Sequence, residues 1–301
     1  MKAKHVIIYL LLVIVTSSCI RDEAPNAEAD ILSCRLPGIT MTTSPIINNN
    51  SVTLFVTPGT NISALAPEFT LTSGATITPA SGTERNFNSP QEYQVTAADG
   101  IWKKTYAISV IDTELATIYN FEDTISGKKY YIFVERENDK VIMEWASGNA
   151  GYAMTGVAKT ADDYPTFQIA NGKNGKCLSL VTRSTGFFGG LVGMPIAAGN
   201  LFIGSFDVNN AMSNPLQATK FGLPFRHVPT YLAGYYKYKA GDQFTEGGKP
   251  VEGKRDICDI YAIMYETSVS VPTLDGTNAF TSPNLVSMAR IKDAKETDEW
   301  T

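Results

Sequence analysis

Histidine is nearly absent from this chain: His5 lies among the first residues, and His227 stands alone in the rest of the 301. One imidazole excludes zinc sites built on two or three histidines, and H-E-x-x-H with them. A Ser–His–Asp relay would have to use His227, and no G-x-S-x-G elbow accompanies it. Cysteine is scarce too, with four residues and no C-x-x-C pair. Beyond Cys19, the odd set Cys34, Cys177 and Cys258 cannot all pair internally, so buried free thiols are the default and a Cys177–Cys258 bridge stays open. Lysine and arginine form no cluster and the formal net charge is −5, so nucleic acid has no electrostatic footprint to meet. Without a G-x-G-x-x-G, a P-loop or helices alternating with strands, a nucleotide-binding α/β fold is excluded. No D-x-D-x-D-G loop is present, "FEDT" being weak evidence for Ca2+, and no cofactor or metal is expected.

What is present begins at the N-terminus. "MKAKHVIIYLLLVIVTSSC" sets Lys2 and Lys4 before ten apolar residues, Val6 to Val15, and small residues before Cys19. Ten residues are half of the ~20 that a helix needs to cross a bilayer, so 1–18 reads as a signal peptide. "TSSC" resembles a lipobox, with Thr16 where leucine is usual, which implies acylation of Cys19 and a lipid-anchored protein. A signal peptide cleaved elsewhere, with Cys19 incidental, is the alternative. Residues 19–30 form an acidic linker. Asp22 and Glu23 resemble the export tag of Bacteroidetes surface lipoproteins, which implies an outer-membrane, cell-surface location; a plain solvated linker is the other reading. Removing Lys2 and Lys4 leaves 23 basic against 30 acidic residues, a charge of −7.

Residues 31–112 read as an all-β unit of alternating runs broken by Gly, Pro and Asn. Asp99-Gly100 marks a two-residue hairpin whose paired positions place Tyr93 opposite Tyr106, Val95 opposite Lys104 and Ala97 opposite Trp102. A one-residue slip would turn Tyr93 and Val95 to the wrong face. Lys104 is the misfit and is expected to snorkel at an edge, while Trp102 is expected in the core. "TSGATITPASG" and "YQVTAADGIWKKTYAISV" resemble the immunoglobulin-like domain that precedes the main domain in Bacteroidetes surface lipoproteins, which implies a stalk.

Residues 115–301 start afresh. "YYIFVERENDKVIMEW" is a strand–turn–strand with Asn138-Asp139 at its tip, and "GKCLSLVTRS", "NLFIGSFDV", "YLAGYYKY" and "DIYAIMYETSVSV" continue the β pattern. Residues 285–298 are the one stretch that reads as a short helix or charged hairpin. The whole is all-β: an immunoglobulin-like sandwich, then a larger jelly-roll-like sandwich. "NFEDT", "EWASGN", "KCLSLVTRSTG", "AAGNLFIGSF", "FGLPFRHVPTYLAGYYKYKAGD" and "DICDIYAIMYE" resemble, in order, the putative carbohydrate metabolism domain of Bacteroidetes lipoproteins. That resemblance implies a β-sandwich similar to carbohydrate-binding modules, with a polysaccharide or oligosaccharide as partner. Members of the family continue past the position of Trp300 with closing strands, so a C-terminally incomplete sandwich is expected.

Sugar binding needs flat apolar faces and short polar donors. If 231–239 is a strand, Tyr231, Tyr235, Lys237 and Lys239 share the solvent face, while Leu232, Tyr236 and Tyr238 share the core face. Tyr231, Tyr235 and Trp145 are thus the platform candidates, with Asn149, Asn200, Arg226 and Lys237 as donors. Trp145 also reads as a core residue, the commoner place for a tryptophan. Pro224 and Pro229 bracket "FRHV" and stiffen the loop bearing Arg226. Hydrolysis would need two carboxylates about 5–10 Å apart. Asp259 and Glu266 lie about 23 Å apart along one strand and on opposite faces, so they are not such a pair; Glu144 with either across strands stays open. Three functions follow: glycan binding without cleavage, glycoside hydrolysis, or a structural or adhesive role with protein partners.

Overall fold

The computed structural model describes residues 26–268, 270–291 and 294–301. Cys19, the signal peptide and the acidic pair Asp22 and Glu23 lie outside the described residues. The first unit has seven strands: β1 (Ile31–Arg35), β2 (Ile46–Ile47), β3 (Ser51–Phe55), β4 (Glu68–Leu71), β5 (Thr76–Thr78), β6 (Gln91–Thr96) and β7 (Lys103–Ile111). β2-β3-β7-β6-β5 form one sheet, with β3 and β7 parallel, and β1-β4 form the other. Alternation drives the packing. Val52 and Leu54, Tyr93 and Val95, and Tyr106, Ile108 and Val110 point inward from the large sheet, and Ile31 and Cys34 meet them from the small one. Desolvation there pushes the Cys34 thiol up to about 12. Cys177 and Cys258 are free and half-buried.

The β6–β7 hairpin has the expected register, with Tyr93 opposite Tyr106 and Val95 opposite Lys104. Its turn is longer than the expected pair of residues. Ala97 N–H donates to Trp102 O (2.9 Å), leaving 98–101 as the loop, and only Gly100 takes positive φ (71°). Lys104 is held by Asp30 (Nζ–Oδ1 2.5 Å), which also accepts from the Tyr106 hydroxyl (3.0 Å). Trp102 corrects the expectation of a core residue, because the four-residue loop lifts it past the last buried pair and leaves it 64% exposed.

The second unit is also β-rich. β8 (Val134–Glu137), β9 (Lys140–Ala146), β14 (Phe202–Phe206) and β15 (Thr219–Phe221) form a four-stranded antiparallel sheet in the order β15-β14-β9-β8. Around it stand the antiparallel pairs β10 (Thr166–Ile169) with β11 (Cys177–Leu180), β12 (Arg183–Ser184) with β13 (Ile196–Ala197), β16 (Thr245–Glu246) with β17 (Lys249–Pro250), and β18 (Tyr261–Tyr265) with β19 (Leu285–Arg290). Asn138 and Asp139 turn the β8–β9 hairpin with positive φ (49° and 64°), as their dipeptide demands. Gly204 (φ 142°) lets β14 lie against β15, where a Cβ would strike the Lys220 carbonyl.

Two expectations are corrected. Residues 285–290 are a strand, because Val286, Met288 and Arg290 alternate with Leu285, Ser287 and Ala289 against a β18 partner. The short helices lie elsewhere: α1 (Asn149–Tyr152), α2 (Gly186–Leu191) and α3 (Pro215–Ala218). Segment 231–239 forms no strand. Its backbone pairs only at Tyr236 and Tyr238, with Thr301 and Thr297, which is too little for a ladder. Among the described residues no helix is long and apolar enough to cross a membrane.

Candidate glycan-binding cleft

A broad open concavity of about 3960 Å³ extends over both units, from Asp30 and Lys104 to the four-stranded sheet and beyond, and Trp145, Asn200, Arg226, Tyr231, Tyr235 and Lys237 are among the residues that line it. Trp145 sits at the end of β9 and is half-buried. Its ring meets Tyr119 edge-on (centroids 5.0 Å, 81°) and Phe121 at a tilt (5.4 Å, 55°), and its Nε1–H donates to Glu135 Oε1 (2.9 Å). Phe121 holds a left-handed φ of 56°, uncommon for a bulky residue, and Gln168 Nε2 donates to its carbonyl (2.7 Å). Desolvation lifts the Glu135 carboxyl above its usual range, the Trp145 bond opposing it and the Asp123 charge adding to it. Burial, helped by the Glu135 charge, pushes the Tyr119 hydroxyl up to about 12. Trp145 is therefore a wall of the cleft within an aromatic cluster, with Tyr119, Phe121 and Glu135 as partners that sequence reasoning missed. A bulge between Glu135 and Arg136 sets Glu135 opposite Met143, diagonal to Trp145, and the turn residues alone do not signal it.

From Tyr235 to Lys239 the segment keeps the alternation expected of it without being a strand, whereas Leu232, expected on the core face, is 44% exposed because no pairing reaches it. Pairing through Tyr236 and Tyr238 turns those rings inward, half-buried, while Tyr235 (64%), Tyr231 (80%), Lys237 and Lys239 are exposed. The Lys173 ammonium stands 2.9 Å from the Tyr235 ring centre and covers one of its two faces. Lys237 lies over the Trp300 ring at 5.3 Å. Arg226 is exposed, and the neighbouring His227 Nε2 reaches Glu114 Oε2 at 3.1 Å.

Asn149 is a correction. It is fully buried, its Nδ2–H donates to Thr166 O (2.7 Å) and its Oδ1 accepts from Thr166 N–H (3.1 Å), which leaves nothing for a ligand. Asn200 touches the cleft, but its Oδ1 accepts from Gly148 N–H (2.7 Å), so its amide is already engaged in shaping the turn before α1.

Two of the three carboxylate candidates line the cleft and the third does not. Asp259 lines the cleft and is clasped by Arg290 through two bonds of 2.8 Å. Glu266 is not on the cleft wall. Glu144 lines it and is reached by solvent, yet protein crowds its carboxyl; desolvation raises it above the usual range, and Lys128 opposes the rise. A carboxyl raised in the fold contributes stability below its unfolded value and loses that contribution as pH climbs through the folded one. Glu144→Gln is accordingly expected to raise the melting temperature at about pH 8 and to leave it unchanged near pH 4. Equal melting temperatures at both would show that the carboxyl is not desolvated. Among the described residues no group of three or more His, Cys, Asp or Glu stands together as a metal site.

Residues 31–110 match the family described as "SGBP, N-terminal", and residues 120–301 match the family described as "putative carbohydrate metabolism domain". A solved structure described as a putative glycoside hydrolase from Bacteroides thetaiotaomicron is 85% identical, covers 93% of this chain and is itself 82% covered, with a TM-score of 0.89. A second, described as a putative glycoside hydrolase from Bacteroides vulgatus, is 48% identical, covers 61% of this chain and is 74% covered, with a TM-score of 0.57. No curated protein matches the chain. The second unit spans more than half of the chain and matches along its full length, so the chain belongs to the putative carbohydrate metabolism domain family.

Proposed function

We propose that this protein is a lipid-anchored surface protein of the outer membrane whose second unit binds a polysaccharide or oligosaccharide without cleaving it. The observation that carries this reading is the cleft itself. It gathers two exposed tyrosine rings, a tryptophan wall and the cations Arg226 and Lys237 along one concavity, the mix of flat apolar faces and polar donors that sugar rings require. Both matched families support a glycan partner, and the similar structures described as putative glycoside hydrolases bear on the second reading below. The lipid anchor rests on the sequence around Cys19. Full-length protein on an array of plant, host and microbial glycans is expected to retain at least one class of polysaccharide and to return it chemically intact. Retention of none defeats the reading.

Hydrolysis is the second reading, favoured by the descriptions of the similar structures and by a carboxyl lining the cleft, Glu144, which desolvation shifts upward, the direction a general acid needs. Asp259, paired with Arg290 on the cleft wall, is the second carboxylate this reading would call on, Glu266 lying off that wall. Release of reducing ends from the retained glycan, abolished in Glu144→Gln, would establish this reading over binding alone.

A further inference from the structure

The one large aromatic side chain that the first sandwich leaves in solvent lies at a particular end of it. Ile101 and Trp102, 78% and 64% exposed, sit at the tip of the β6–β7 hairpin, followed by the exposed Lys103. The tip is held firmly. Asp99 Oδ1 accepts from Ile101 N–H (2.8 Å) and Trp102 N–H (3.2 Å), and Gly100 N–H donates to Ala97 O (2.9 Å). The loop therefore presents the two apolar side chains at no further ordering cost.

The chain enters the sandwich at this same end: Asp99 N–H donates to Asn26 O at 3.3 Å. It leaves from the other end, since β7 runs from Lys103 at the tip to Ile111, nine residues or about 26 Å away, before reaching the second unit. Seven residues separate Cys19 from Asn26, a tether of at most about 25 Å. An acyl group on Cys19 would thus keep the tip within reach of the bilayer surface.

We propose that the hairpin tip is a membrane foot, which seats Ile101 and Trp102 in the headgroup region of the bilayer beside the anchor while Lys103 meets lipid phosphate. Tryptophan suits that depth, because its ring is apolar and its N–H keeps a polar partner. A lone acyl anchor fixes position and not orientation; a rigid second contact would fix the orientation of the first sandwich on the membrane. The inference rests on the lipid-anchor reading above.

The test uses the full lipidated chain in phosphatidylcholine vesicles whose acyl chains carry bromine near the glycerol end. The wild type is expected to float with the vesicles, and bromine to quench one tryptophan of the three. In Trp102→Phe flotation should persist and the quenching should vanish. Flotation without quenching, or quenching that survives in Trp102→Phe, overturns the foot while the anchor stands; the tip would then be free for a protein partner. A chain that fails to float overturns the anchor, and the foot with it, because two side chains bury too little apolar area to hold the protein alone.

Discussion

Asn149→Ala is expected to cost the second unit about 2–5 kcal/mol, the sum for two buried backbone groups left without partners. Both Asn149 and Thr166 are sealed from solvent, and the side-chain amide satisfies the Thr166 N–H and C=O together. The Thr166 hydroxyl in turn donates to Asn200 O (2.8 Å), and Asn200 Oδ1 accepts from Gly148 N–H (2.7 Å). The network ties the end of β9, the start of β10 and the turn before β14. Asn149→Asp should fail similarly, since a carboxylate cannot donate to the Thr166 carbonyl. Denaturant unfolding of the full chain checks both. A transition of the second unit matching the wild type in each variant would show that the buried network contributes little.

The second large effect falls on binding. Tyr231→Ala and Tyr235→Ala are each expected to weaken the retained glycan by about 30-fold, roughly 2 kcal/mol, as loss of an aromatic anchor does. Both rings are mostly in solvent, so the melting temperature should not move. Phenylalanine at either position keeps the flat face and should preserve most of the affinity. Isothermal titration with the array hit distinguishes the outcomes: unchanged affinity in both alanine variants would remove the tyrosine segment from the site.

These two results separate residues that looked alike in the sequence. Asn149 and Tyr235 were both candidates because each residue type suits sugar recognition. Their fates differ because α1 begins at Asn149, directly against β10, whereas Tyr235 alternates with Tyr236 and Tyr238, whose backbones pair with Thr301 and Thr297. Period-two alternation was enough to sort the four tyrosines into inner and outer sets, even though no regular strand forms there. Trp102 was misjudged for a related reason. The Asp99-Gly100 signal identified the hairpin and its register, but not that the loop would take four residues and strand the tryptophan beyond the core. Glu135 and Tyr119 escaped notice because their link to Trp145 is a diagonal contact and a long loop return, neither of which leaves a motif.

By itself, the sequence determined the all-β class, the register of the β6–β7 hairpin, the position of the β8–β9 turn and the family resemblance that the matched residues bear out. Those properties follow from local alternation, turn residues and composition, which act over a few positions. Only the tertiary structure decided which polar candidates are sealed and which carboxylates are engaged, and it alone brought Trp145, Arg226 and Tyr235 onto one cleft. Burial and pairing between residues far apart in the chain depend on where whole elements pack, and no short stretch of sequence encodes that.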